Sequence, residues 1–122
     1  MNSNTAGTLG RILFAVPFLV FGFFHFMNGP GMAMMVPSYI PGGVFWVYLT
    51  GLANILAAIS IVSGKQTRLA CYLLALMLLV FILTIHLPGM SNPETQQMAM
   101  MSLLKDIGLM GGALILASKY EK

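Results

Sequence analysis

Residues Met98–Ser118 read MAMMSLLKDIGLMGGALILAS, a stretch long enough to cross a bilayer that carries Lys105 and Asp106 side by side. Charges within a spanning helix are costly and face a bundle interior or a water-filled cavity, so this pair marks a candidate site. Adjacent helical residues project roughly 100° apart, which predicts that Lys105 and Asp106 do not pair with each other. Their expected partners are neighbouring helices, water or a ligand. On a helical net Lys105 aligns with Gly108, Gly112 and Ile115, while Asp106 lies with Ser102, Leu109 and Met110. Gly108 and Gly112 form a small-xxx-small pair that admits another backbone, which predicts that Lys105 sits on the packed face.

The whole chain has the composition such a helix needs. Of 122 residues 58% are hydrophobic and 7% charged, and the mean hydropathy is +0.88. A soluble domain of this size needs more surface charge, whereas a multi-span membrane protein does not. The length supports one domain over residues 1–122. A dispersed net charge of +3 argues against nucleic-acid binding. The single cysteine, Cys71, excludes an internal disulfide and a C-x-x-C pair, and reads as a small packing residue. Asp and Glu total three, which argues against a carboxylate metal site or a two-carboxylate hydrolase. No H-E-x-x-H, C-x-x-C-H, G-x-S-x-G or phosphate loop occurs.

Three further apolar runs complete an all-α, integral membrane four-helix bundle with spans at about 11–28, 44–62, 69–87 and 97–118. Met1 to Gly10 reads as a short disordered arm or an interfacial lead-in. The run after it lacks a basic lead and a cleavage site, so it reads as a retained span rather than a signal peptide. Pro17 lies inside that span, and Arg11, Phe14, Phe18, Gly22 and His25 share one stripe. The Gly-, Pro- and Met-rich loop Asn28 to Gly43 reads as a surface cap or re-entrant piece. Phe45, Trp46 and Tyr48 open span two as interfacial anchors, with Thr50 and Asn54 on the face of Trp46. A short basic turn makes spans two and three antiparallel neighbours. Thr84 and His86 end span three, with Pro88 and Gly89 expected to stop it. Asn92 reads as a helix cap and Pro93 as the first helical position of span four. Arg11, Lys65, Arg68, Lys119 and Lys122 collect on one side, and the two opposite loops contain no Lys or Arg. The positive-inside rule then places both termini in the cytoplasm, in a bacterial inner membrane.

This topology brings the intramembrane polar residues to one depth. His25 and His86 end their spans on the outside, and Thr50 and Asn54 lie in the outer half and middle of span two. Lys105 lies about 10 Å into span four, at about 1.5 Å per residue from Met98. The shared depth predicts one pocket lined by His25, Trp46, Thr50, Asn54, His86, Lys105 and Asp106. Each also has a plain structural reading, as interfacial or helix-packing hydrogen-bonding groups. Met-Ala-Met-Met occurs twice, at Met32–Met35 and Met98–Met101. Thioethers with imidazole suit Cu(I), although methionine also fills irregular gaps in small bundles. His25 and His86 stand 61 residues apart, each followed by a Pro/Gly loop, a Met-Ala-Met-Met and a span, a faint internal halving.

The chain also resembles the DoxX family of small four-span bacterial membrane proteins. The resemblance rests on Gly10-Arg11-Ile12-Leu13, the Gly-x-x-His-Phe of Gly22 to Phe26, Met35-Val36-Pro37 with Ile40-Pro41, and Phe45-Trp46-Val47-Tyr48-Leu49-Thr50-Gly51. It ends in Leu104-Lys105-Asp106-Ile107-Gly108-Leu109-Met110-Gly111-Gly112-Ala113-Leu114. The chain departs from many members at His25, where they have Lys, and near Asn54, where they have an acidic residue. The resemblance implies a four-span fold and an accessory role in quinone-linked redox systems, with other relatives assisting partner proteins.

Three readings follow. The first is an accessory subunit of a quinone-linked redox system, not clearly an enzyme on its own. In it Lys105 and His86 donate to quinone oxygens, His25 and Asp106 orient the head or relay protons, and Trp46 and Phe24 pack the ring. The second is a non-catalytic protein that binds a partner or a second copy of itself. The third is metal or haem binding through His25, His86 and the outer methionines.

Overall fold

A computed structural model of the chain describes residues 2–34, 36 and 38–120. Met35, which closes the first Met-Ala-Met-Met and with Pro37 carries part of the family resemblance, lies outside the described residues, as does Lys122 of the basic set. Among the described residues five helices form: α1 (Ser3–Met27), α2 (Gly29–Ala33), α3 (Val44–Ser63), α4 (Thr67–Gly89) and α5 (Gln96–Ala117). No strand forms among the described residues. Four of the helices, all but α2, are long and apolar enough to cross a membrane.

Three boundaries differ from expectation. The expected N-terminal arm is helical from Ser3, because the Asn2 side chain accepts the Thr5 N–H at 2.8 Å and satisfies one of the first turn's free donors. Pro88 and Gly89 do not stop α4. Proline at position 88 removes one backbone donor and crowds the carbonyl four residues back. The helix absorbs this by widening to a π-turn over Ile82–His86, where the Leu87 N–H reaches the Ile82 carbonyl, before resuming over Leu87–Gly89. Asn92 caps a turn rather than a helix, accepting the Glu94 N–H at 3.0 Å, and α5 begins at Gln96 instead of Pro93. Thr95, at its start, donates to the Gly89 carbonyl at 2.6 Å and ties α5 to the end of α4.

The helices pair as two antiparallel hairpins, α1 with α3 and α4 with α5, joined where α3 meets α4. Backbones approach closely at Gly22 of α1 and Gly51 of α3. A Cβ on Gly22 would lie 2.8 Å from the Gly51 carbonyl oxygen, and one on Gly51 would lie 3.0 Å from the Gly22 oxygen. Small residues do this in a membrane, where lipid is as apolar as leucine and helices associate through close packing. The predicted small-residue contact at Gly108 is not made: nothing lies within 4 Å of a Cβ there, and Gly112 meets only the Phe14 ring.

One end of the bundle is basic. The Arg11 guanidinium donates to the Ile61 and Val62 carbonyls at 2.9 and 3.0 Å, capping α3, and Gly64 closes that helix in the left-handed conformation at φ 79°. Arg68 reaches the Tyr120 carbonyl at 3.5 Å. Toward this end the core is tight and built from small side chains: Ala15, Ala57, Ala58, Ala70, Cys71, Ala75, Ala113 and Ala117, around Phe18, Ile61, Leu74 and Leu78. Large apolar residues such as Leu13, Leu56, Leu76 and Ile115 stay more than half exposed on the outer faces, as contact with a lipid bilayer requires.

Candidate functional site

Where the small-residue core ends, the two hairpins diverge around a cavity of about 620 Å³. All seven candidate residues, His25, Trp46, Thr50, Asn54, His86, Lys105 and Asp106, line it. Thr84 of α4 also lines it, with its hydroxyl donating to the Val80 carbonyl at 2.7 Å, and the rest of the wall is apolar, with Phe18 and Phe21 from α1, Met32 from α2, Ile40 from the loop, Met77 and Phe81 from α4 and Leu109 from α5.

Among the described residues Asp106 is the most buried charged group, with a side chain 4% exposed. On α5 it stands with Ala99, Ala113 and Ala117 on the packed face. His86 Nε2–H donates to Asp106 Oδ2 at 2.7 Å, joining the two helices of the second hairpin. His86 closes the π-turn, which packs against α5. Lys105 is placed otherwise than expected. Its side chain is 53% exposed, off the packed face, and its Nζ lies 3.7 Å from Asp106 Oδ1. The two adjacent residues therefore do pair, because the four-carbon arm of lysine folds back around the helix although the Cβ directions diverge. The same ammonium sits 5.1 Å from the centre of the Phe21 ring, at the seam between α1 and α5.

His25 Nδ1–H donates to the Phe21 carbonyl one turn back, at 2.5 Å. In the uncharged ring that leaves Nε2 as an acceptor. Trp46 Nε1–H donates to the Pro41 carbonyl at 2.5 Å, which fastens the preceding loop over α3. Thr50 is half-buried. Asn54 is 3% exposed, and its Oδ1 is buried without a hydrogen-bond partner among the described residues. Such an orphan is rare in a folded protein and costly in a low-dielectric interior.

Two details of the sequence reading change. Phe24, expected against a ligand ring, is 45% exposed on the outer face, and Phe21, one turn before His25, holds that place. His86 Nε2 is committed to Asp106 and is not free to donate to a ligand. The metal reading gains only His25, His86 and Met32 at the cavity, since Met98, Met100 and Met101 are exposed. Among the described residues no group of three His, Cys, Asp or Glu stands close enough to hold a metal ion. Phe21 and Phe81 were not singled out from sequence, and Ile40 and Leu109 were not named as cavity residues. In a chain this apolar, nothing but proximity to His25 distinguishes Phe21 from its neighbours.

Residues 14–106 match the family described as Domain of unknown function (DUF8561). The match takes in more than half of the chain, which therefore belongs to that family, and it includes all seven candidate residues. No curated protein and no solved structure matches the chain.

Proposed function

We propose that this DUF8561 member is a multi-pass protein of the bacterial cytoplasmic membrane that binds a lipid-soluble small molecule of the quinone class. In this reading it is an accessory subunit of a membrane redox system rather than an enzyme by itself, as the resemblance to the DoxX family implies. The carrying observation is the buried, unpartnered Asn54 Oδ1 in the wall of an apolar cavity that also holds His25 and the His86–Asp106–Lys105 cluster. A volume of about 620 Å³ falls within the range of small-molecule sites, which combine apolar walls with a few placed polar groups.

The residues fit such a head. Lys105 and Asn54 offer polar contacts, His25 offers Nε2, and Phe21, Trp46 and Phe81 offer apolar surface for a ring. The paired His86 and Asp106 hold the polar end of the cavity in shape and keep Lys105 near its rim. A bound quinone would supply two-electron chemistry, and the protein would supply orientation and exclusion of water.

Native mass spectrometry of the full chain, released from its own membranes in mild detergent, tests this. A retained adduct at a quinone mass, lost in the Asn54→Leu variant, is the expected result. A clean apo mass after gentle preparation would overturn it and favour the partner-binding reading, and a haem or copper adduct would favour the third.

A further inference from the structure

We infer that the ligand of this cavity carries a long apolar tail, and that the tail leaves between α3 and α4 to lie in a second groove there. This rests on the reading of the cavity as a quinone-class site and adds the tail and the path it takes.

The groove has a volume of about 530 Å³ and is lined by α3, α4 and the turn between them. Ala57, Ala70 and Leu74 line it from buried positions, while Leu56, Leu69 and Leu73 line it with more than half of their surface exposed. It thus has a closed floor and open leucine sides. Small side chains at Ala53, Ala57 and Ala70 leave the space that larger residues would fill. Thr50, Leu73 and Met77 line both the groove and the cavity, so the two spaces adjoin across these side chains. Met77 is the pliable member of that partition, since an unbranched thioether with three rotatable bonds moves aside readily. From Thr50 to Ser60, at the far end of the groove, α3 advances about 15 Å, half of a hydrocarbon core of about 30 Å.

A head enclosed in the cavity must pass its tail out through the wall. Toward α1 and α5 that wall carries His25, Lys105 and Asp106, with the Lys105 ammonium against the Phe21 ring. An apolar tail drawn through there would desolvate these groups without offering them a hydrogen bond, which is costly. The groove has no titratable residue in its lining. Its polar groups stand at its ends, Thr50 beside the cavity and Ser60 with Gln66 at the basic end, and the Ser60 hydroxyl already donates to the Lys65 carbonyl. The tail gains little hydrophobic energy there, because the surrounding lipid is as apolar as leucine. What the groove supplies is a path: the head is enclosed while the tail keeps apolar contact along its length.

The test uses a benzoquinone whose decyl tail ends in a diazirine, photolysed with the full chain in lipid nanodiscs and mapped by peptide mass spectrometry. Excess unlabelled decyl-benzoquinone separates labelling from the site from labelling through the lipid. Trp46, the only tryptophan in the sequence, lines the cavity and reports head binding through its emission. The expected result is competable labelling on α3 around Ala53–Ser60 and on α4 around Leu69–Leu73. Ala53 is exposed, so Ala53→Phe fills the groove without entering the core. In that variant the groove labelling should be lost, while a tail-less benzoquinone still changes Trp46 emission as in the unaltered protein, which also shows that the variant is folded. Competable labelling on α1 and α5 instead, groove labelling unchanged in Ala53→Phe, or no competable labelling while Trp46 still responds would each overturn the path and leave the site standing. No competable labelling together with no Trp46 response would overturn the site itself.

Discussion

Asp106 has two basic neighbours that are not equivalent. His86 is held at 2.7 Å with its side chain 14% exposed, whereas Lys105 stands at 3.7 Å with its side chain 53% exposed. Removing one partner of a buried polar pair leaves the other desolvated and unpaired, whereas a half-exposed ion pair contributes little. His86→Ala and Asp106→Ala should each lower the unfolding midpoint in detergent. The double variant should lose less than the two single losses added, with a coupling of about 1 kcal/mol or more. Lys105→Ala should cost less than about 1 kcal/mol. Strictly additive losses would mean that the two side chains do not act as a unit. The pair also marks how far sequence reading goes at this scale. That a charge in span four needs a partner follows from the cost of burying it. Which of the two adjacent residues turns inward depends on the rotation of α5, and an apolar helix with little amphipathic contrast does not reveal that rotation.

Among elements, the α1–α3 contact carries the close packing and α5 carries less of it than its glycines suggest. A Cβ on Gly22 would stand 2.5 Å from the Ile55 side chain and 2.8 Å from a backbone oxygen, and only the side chain can yield. Gly22→Ala should therefore push the first hairpin apart and cost about 1–3 kcal/mol, the usual range for overpacking. Gly108→Ala, with nothing within 4 Å, should leave the unfolding midpoint unchanged or raise it slightly through better helix propensity. A reversed ranking would place the tight interface on α5. The four long apolar helices themselves were legible, because length and hydropathy mark them out. Their ends were not: an Asn cap at residue 2 and a π-turn that absorbs Pro88 are decided by single hydrogen bonds, which hydropathy does not register. The depth-matching of polar residues found the cavity, since few polar groups occur in the spans and each needs company. The aromatic part of its wall stayed hidden among eight phenylalanines of similar appearance.

For the whole molecule, the two ends of the bundle differ in charge and in packing. Arg11, Lys65 and Arg68 gather where α3 ends and α4 begins, around a tight alanine-rich core, while the cavity lies toward the end that holds His25 and His86. The positive-inside rule assigns the basic end to the cytoplasm, which would turn the cavity to the outer leaflet. Single cysteines test this in intact cells, and buried Cys71, fully enclosed in the core, gives little background. Both target positions are exposed: Lys65 in the turn before α4, and Ser91 in the connection after it. Ser91→Cys should react with a membrane-impermeant maleimide added outside, and Lys65→Cys only after the membrane is opened. The opposite pattern would invert the protein and place the cavity in the cytoplasmic half. Because α4 alone separates the two positions, labelling of both from one side would mean that α4 does not cross the membrane. The bundle would then lose the frame that sets His86 opposite Asp106 at one depth.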